Sequence, residues 1–157
     1  MILLRGNPAP DFELNSSPDQ RLRLSDLRGK RVILAFYPAD WSPVCGDQMV
    51  LYNETRKYFN ELNAEVVGIS VDSAWSHLAF TRERNIHFPL LADFEPKGLV
   101  SQQYGAYNHG TGQSRRALFL IDEDGIVQWS EISPDSINPG ADGILNALET
   151  LHQQNHE

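Results

Sequence analysis

Residues 31–48 read RVILAFYPADWSPVCGDQ, and the order of residue types along this stretch decides the fold. Residues 31–37 form an unbroken β-branched and aromatic run, the pattern of a central strand buried on both faces. Pro38 ends the run, and Cys45 follows seven residues later, behind Ser42 and Pro43. Serine is a favoured helix N-cap, and proline suits the first helical position, where its missing N–H is no loss. The stretch therefore predicts a strand, a short loop and a helix over 43–62, with Cys45 in its first turn.

The same alternation continues on both sides. Residues 15–20 (NSSPDQ) read as a turn, and the RLRL after it as part of a small N-terminal hairpin. Along 43–62, Val44, Leu51, Tyr58 and Leu62 recur at helical spacing. A second buried strand follows at 64–71. Residues 73–85 read as a helix capped by Asp72 or Ser73, carrying Trp75, Leu78, Ala79 and Arg82. A short strand at 88–92 contains Pro89, which places that proline at the strand's start or at an edge. Residues 98–104 suggest a short helix. Arg116–Ile121 and 126–130 flank Asp122-Glu123-Asp124-Gly125, a hairpin signal. Residues 141–152 close the chain as an amphipathic helix with Ile144, Leu145, Leu148 and Leu151 on one side. A hairpin, alternating strands and helices, then a hairpin and a helix imply an α/β fold. The expected architecture is a mixed central sheet flanked by helices on both faces, the thioredoxin arrangement with an N-terminal hairpin extension. The 157 residues are expected to form one domain, 1–157.

Composition narrows the partners. Hydrophobic residues make up 41% and charged residues 22%, ordinary for a soluble globular chain. A formal net charge of -8 repels phosphate backbones and anionic membranes, which argues against nucleic acid and membrane as partners. The densest basic cluster, residues 21–31, alternates Arg with Leu and suits a solvated strand face. No apolar stretch approaches the roughly 20 residues that span a bilayer. The start, MILLRGNPAPDFEL, lacks a basic leader, so the expected location is cytoplasmic. A single cysteine excludes an intramolecular disulfide, a cysteine-rich metal site and a CxxC dithiol; Gln48 stands where the second thiol would be. The histidines at 77, 87, 109, 152 and 156 show no metal-binding spacing, so no metal is expected. His109-Gly110-Thr111-Gly112 precedes a strand rather than a helix and reads as a flexible surface loop.

Cys45 is the candidate reactive group. In the first turn of a helix, unpaired backbone N–H groups and the positive end of the dipole favour a thiolate. The Ser42 hydroxyl can donate to sulfur or accept from the backbone, though not fully both. Asp40 and Asp47 oppose ionisation, so a compensating cation is wanted. Arg116 is a better candidate than Arg115 because it abuts the apolar run and points inward; arginine also keeps its charge. Against this stands the bland reading of a buried, inert cysteine. A cysteine–histidine hydrolase would need His77, His87 or His109 to approach through the fold. Trp41 suits a pocket lining, an interface or the core; Trp75 and Trp129 suit core or subunit contacts.

These residues resemble a known family, the peroxiredoxins. Pro38, Ser42 and Cys45 match its spacing of a proline, three residues, a threonine or serine, two residues and a cysteine. Similar likenesses run through residues 6–14, 24–30, 88–93 and 116–122, and residues 93–98 and 101–105 look closest to the one-cysteine AhpE type. The resemblance implies reduction of hydrogen peroxide or organic hydroperoxides. It makes Cys45 the peroxidatic nucleophile, with Ser42 in the threonine's place, Pro38 shielding the pocket and Arg116 holding the anion and orienting the substrate. It implies no cofactor, and a sulfenic acid resolved by an external thiol or by a thioredoxin- or glutaredoxin-like protein. It also implies a homodimer formed near the active-site helices. Gln48 stands where many relatives carry an acid, and Ser42 lacks threonine's methyl. Those departures motivate the alternative of a non-catalytic, chaperone-like binding module with the same fold.

Overall fold

The computed structural model describes residues 1–154. In chain order its elements are β1 (Glu13–Ser17), β2 (Gln20–Arg23), a 3-10 turn (Leu24–Leu27), β3 (Arg31–Phe36), α1 (Pro43–Glu61), β4 (Ala64–Ser70), α2 (Ala74–Arg84) and β5 (Leu90–Ala92). Then come α3 (Leu99–Gln103), β6 (Tyr107–Asn108), β7 (Gln113–Ser114), β8 (Arg116–Ile121), β9 (Val127–Ser133) and α4 (Asp142–Gln154). Seven strands form one mixed sheet in the order β2-β1-β5-β4-β3-β8-β9, and β6 pairs only with β7. β3 and β4 are parallel, as are β4 and β5. Parallel neighbours need long crossovers, which α1 and α2 supply. β8 and β9 add to β3 as an antiparallel hairpin.

Every residue of β3 and β8 is buried, as expected for strands covered on both sides. Alternate side chains divide between two cores. Ile33, Ala35 and Tyr37 join Leu118 and Leu120 beneath Cys45, Met49, Tyr52 and Phe59 of α1, Phe80 of α2, and Ile144 and Leu148 of α4. Val32, Leu34 and Phe36 face the other way with Phe119 and Ile121, against Phe12, Leu24, Val100 and Tyr104. Helices therefore lie on both faces, with α3 and the N-terminal segment on the second. At Gly68 of β4 the neighbouring strand leaves no room for a side chain: a Cβ there would lie 2.6 Å from Leu90 Cδ2.

Three local expectations are corrected, and one loop is located more closely. The turn of the first hairpin is confined to residues 18–19, because β1 continues through Asn15–Ser17 in register with β2. The buried face of α1 is not centred on Val44, Leu51, Tyr58 and Leu62, of which Leu51 and Leu62 pack partly buried against the core. It is Cys45, Gln48, Met49, Tyr52, Thr55 and Phe59, while Tyr58 is 58% exposed. Two polar residues on that face, Gln48 and Thr55, blur its apolar periodicity. In α2 the buried residues are His77 and Phe80, and Trp75 is 71% exposed rather than in the core. Residues 109–112 are the tip of the β6–β7 hairpin, where Asn108 Oδ1 accepts from the N–H groups of Gly110 and Thr111. His156 lies outside the described residues.

Candidate active site

α1 begins as its sequence dictates. Ser42 is the N-cap, with extended backbone, and its Oγ accepts from Cys45 N at 3.2 Å. Pro43 occupies the first helical position. Because the Ser42 oxygen serves the backbone as an acceptor, its hydroxyl hydrogen stays available for sulfur or an incoming oxygen. Cys45 is fully buried, while Ser42 is half-buried and Pro43 exposed. Pro38 is buried where the chain leaves β3.

The cation arrives from the neighbouring strand. Register pairs Phe36 with Ala117, so Arg116, first residue of β8, lies beside the end of β3 from which the cysteine loop departs. Its Nη2 donates to Cys45 Sγ at 3.3 Å and its Nη1 to Gln48 Oε1 at 2.6 Å. Nη2 and Nε both donate to the carbonyl of Asp135, at 2.7 and 3.2 Å. The side chain is 1% exposed, whereas Arg115 is exposed. A buried guanidinium held between α1 and the loop after β9 is a rigid, permanent charge against the sulfur. Gln48 passes the chain on, its Nε2 donating to Tyr52 Oη at 3.0 Å, and Tyr52 donates to the Gly140 carbonyl at 3.1 Å. Burial raises the Tyr52 phenol to about 12, so it stays a donor at neutral pH.

Neither carboxylate expected to oppose the thiolate touches it. Asp47 is exposed. Asp40 turns away into a network of its own, accepting from Tyr37 Oη at 2.7 Å and Ser76 Oγ at 2.9 Å, with His77 Nδ1 at 2.8 Å. His77 Nε2 lies 3.0 Å from the Leu91 carbonyl, which can only accept, so Nε2 carries a hydrogen. Burial, with Asp40 beside it, raises the Tyr37 phenol well above its usual value and keeps it a donor. The Asp40 backbone N–H donates to Asp72 at 2.8 Å. Partial burial raises the Asp72 carboxyl. Asp40, Asp72 and His77 bring ligand atoms within 4.8 Å of one another, but these atoms are already committed to hydrogen bonds. The network anchors the loop ahead of Cys45 to α2 and β5. His77 is thereby occupied, and His87 and His109 are exposed, so no described histidine serves as a base on sulfur.

Sequence reasoning missed one neighbour and left the place of another open. Arg84 of α2 lies against the first turn of α1, where a Cβ on Gly46 would sit 3.4 Å from its Nη2. Trp41 adopts a left-handed φ of 70° and packs edge-on against Phe80 at 5.2 Å, remaining 49% exposed. The serine–proline punctuation flagged the helix start, but no signal in the sequence pointed to the Arg84 contact.

Comparison with known proteins identifies the family. A profile of the AhpC/TSA family matches residues 5–130. The chain is 34% identical to peroxiredoxin 2 of Thermoplasma acidophilum, over 93% of this chain and 75% of that one. It is 36% identical to the chloroplastic 2-Cys peroxiredoxin BAS1 of Spinacia oleracea, over 94% of this chain but only 59% of that longer one. The crystal structure of Enterococcus faecalis AhpC superposes with a TM-score of 0.89 at 30% identity, covering 100% of this chain and 96% of that one. With similarity running through nearly its whole length and one cysteine in its sequence, the chain belongs to the AhpC/TSA family as a one-cysteine peroxiredoxin.

Proposed function

We propose that the chain is a thiol-dependent peroxidase in which Cys45 reduces hydrogen peroxide or a small organic hydroperoxide. The observation that carries this reading is the 3.3 Å hydrogen bond from the buried Arg116 guanidinium to Cys45 Sγ. The thiolate electron pair forms an S–O bond as the O–O bond breaks, and both electrons of that bond leave with the departing oxygen, which takes up a proton. Charge moves from sulfur to oxygen, so fixed donors around the departing atom stabilise the transition state more than the ground state. Arg116, the Ser42 hydroxyl and the N-terminus of α1 are placed for this, and Pro38 shields the reacting centre.

The product is a sulfenic acid on Cys45. The sequence holds no second cysteine, so an external thiol, either small or on a thioredoxin- or glutaredoxin-like protein, attacks the sulfenic sulfur and releases water. A second thiol then attacks the reductant's sulfur in the mixed disulfide, forming the disulfide product as the bond to Cys45 breaks and leaves it as a thiolate. Electrons enter through thiols and no prosthetic group is required; a thiol-rich compartment such as the cytoplasm is the fitting location. The chain is further proposed to pair as a homodimer near the active-site helices. The non-catalytic alternative rested on Gln48 and Ser42, and both are hydrogen-bonded within the site.

The test mixes reduced protein with one equivalent of hydrogen peroxide in the presence of dimedone. Cys45 should be labelled at least about a hundredfold faster than free cysteine oxidises, and Cys45→Ser should consume no peroxide. Labelling at the free-cysteine rate would refute the reading.

A further inference from the structure

The end of α2 is pinned to α1. Asn53 Nδ2 donates to the Asn85 carbonyl at 3.0 Å, and the His87 N–H donates to Asn53 Oδ1 at 2.7 Å. From there the Arg84 side chain runs back along α1 to its first turn. Three atoms of the guanidinium lie 3.4–3.6 Å from where a Cβ on Gly46 would sit, so the group lies face-on against that backbone. Its other neighbour is the Phe80 ring, with Cζ 6.0 Å from the centroid, a cation–π contact. Gly46 is buried under this cover, whereas Arg84 itself is exposed. Among the described residues Arg84 makes no hydrogen bond and no ion pair. Packing alone holds a permanent charge and five N–H donors beside the turn that carries Cys45.

We propose that Arg84 is a specificity-determining residue for the reductant: it draws a small thiol bearing a carboxylate to the oxidised Cys45. The inference rests on the peroxidase reading, since it names the class of external thiol which that reading requires. Cys45 and Gly46 are consecutive, so bond lengths alone keep the guanidinium within about 12 Å of sulfur. The core closes sulfur off from within. A thiol therefore comes in past the exposed Trp41, Pro43 and Asp47 at the start of α1, and past Arg84. Hydrogen peroxide is neutral and gains little from such a cation. An anionic thiol approaching a chain of net charge -8 gains from it. The incoming thiolate's electron pair forms the S–S bond, the S–O bond of the sulfenic acid breaks, and the departing hydroxide takes up a proton as water. The carboxylate of the same molecule pairs with the Arg84 fork.

The other charges nearby leave this role to Arg84. Asp47 of α1 and Arg82 and Glu83 of α2 are exposed, and neither carboxylate is within ion-pair distance of it. Arg116, the other cation beside sulfur, is buried and already bonded to Asp135, Gln48 and sulfur.

The experiment follows, by stopped flow, reduction of the peroxide-oxidised full-length chain by 3-mercaptopropionate, 2-mercaptoethanol and cysteamine. These thiols are anionic, neutral and cationic, and comparing parent with variant cancels their intrinsic reactivities. An exposed ion pair is weak, so Arg84→Gln should lower the anionic-to-neutral rate ratio by roughly threefold to fivefold. Arg84→Glu adds repulsion and should lower it by about tenfold, with the cationic thiol gaining instead. Arg84→Lys should restore most of the ratio, and about 0.5 M salt should flatten the differences. A ratio left unchanged by both Arg84→Gln and Arg84→Glu would overturn the proposal, even if all three rates fell together. The same comparison is made by exchange of the reduced chain with the disulfides of the three thiols, which needs no peroxide. Charge selection there that depends on Arg84, in a chain with no fast peroxide reaction, would support the cation's role and count against the peroxidase function alone.

Discussion

Ser42 concentrates two jobs in one oxygen atom. It caps α1 by accepting from Cys45 N, and its hydroxyl hydrogen is left over to donate to a bound peroxide in the proposed reaction. Ser42→Ala removes both, so it should cost about 1 kcal/mol of stability, as the loss of a cap usually does. It should also slow peroxide reduction by roughly tenfold to a hundredfold, in line with losing one transition-state donor. Ser42→Thr keeps cap and donor and should restore both, as read by thermal melting and stopped-flow kinetics. A variant that loses stability without losing rate would confine the residue to capping. The residues of this centre differ in how legible they are from sequence. Cys45 and Ser42 can be read because helix-start chemistry is local. Arg116 can be read because a charged residue heading a wholly apolar strand has to be accounted for. The position of Gln48 can be noted from sequence, but the direction of its hydrogen bonds cannot. Asp40 is misjudged because nearness in sequence does not tell which way a side chain turns.

Elements carry the site because α1 spans it. Its first turn holds sulfur, and its second holds Gln48 and, a turn further on, Tyr52, which reaches the loop before α4 through Gly140. The buried face on which these lie was hidden in the sequence by its polar members, whereas strands β3 and β8 were plain because every residue in them is apolar or, at their first positions, arginine. Tyr52 lets this coupling be measured by pH. Burial lifts its phenol from 10.0 to about 12. The folded state therefore holds its proton more tightly than the unfolded chain does. The associated stability is complete below pH 10 and is lost as pH rises toward 12, an amount of roughly 2–3 kcal/mol. Tyr52→Phe keeps the ring and removes the proton. Its unfolding free energy in urea should start lower, for want of the Gly140 hydrogen bond, but should decline less between pH 10 and 12. Tyr104 and Tyr37, also raised by burial, remain in both proteins and do not affect the difference. Equal declines would mean that Tyr52 is not shielded.

At the scale of the whole molecule, surface and charge decide association. The order of strands and helices follows from the alternation of patterns, since each parallel pair requires a crossover. A subunit contact leaves no such periodic trace, so the sequence left Trp75 open between core and subunit contact, and its exposure removes the core reading. The chain's accessible surface is 7741 Å². A standard interface takes about 800 Å² from each partner, roughly a tenth of that. At the corner where the cysteine loop meets α2, Trp41 and Trp75 are 49% and 71% exposed, large aromatic surfaces of the kind enriched in interface cores. Two copies, each with a net charge of -8, repel one another, and salt screens that repulsion within about 10 Å at 0.1 M. If the proposed homodimer forms through this corner, sedimentation should show a dimer whose fraction rises with ionic strength. Trp75→Glu should shift it toward monomer without harming the fold. An acid in the first turn of α2 sits at the positive end of the helix dipole, and the tryptophan it replaces is mostly in solvent. A chain that sediments as a monomer at every salt concentration would eliminate the dimer; a dimer indifferent to Trp75→Glu would move it to another face.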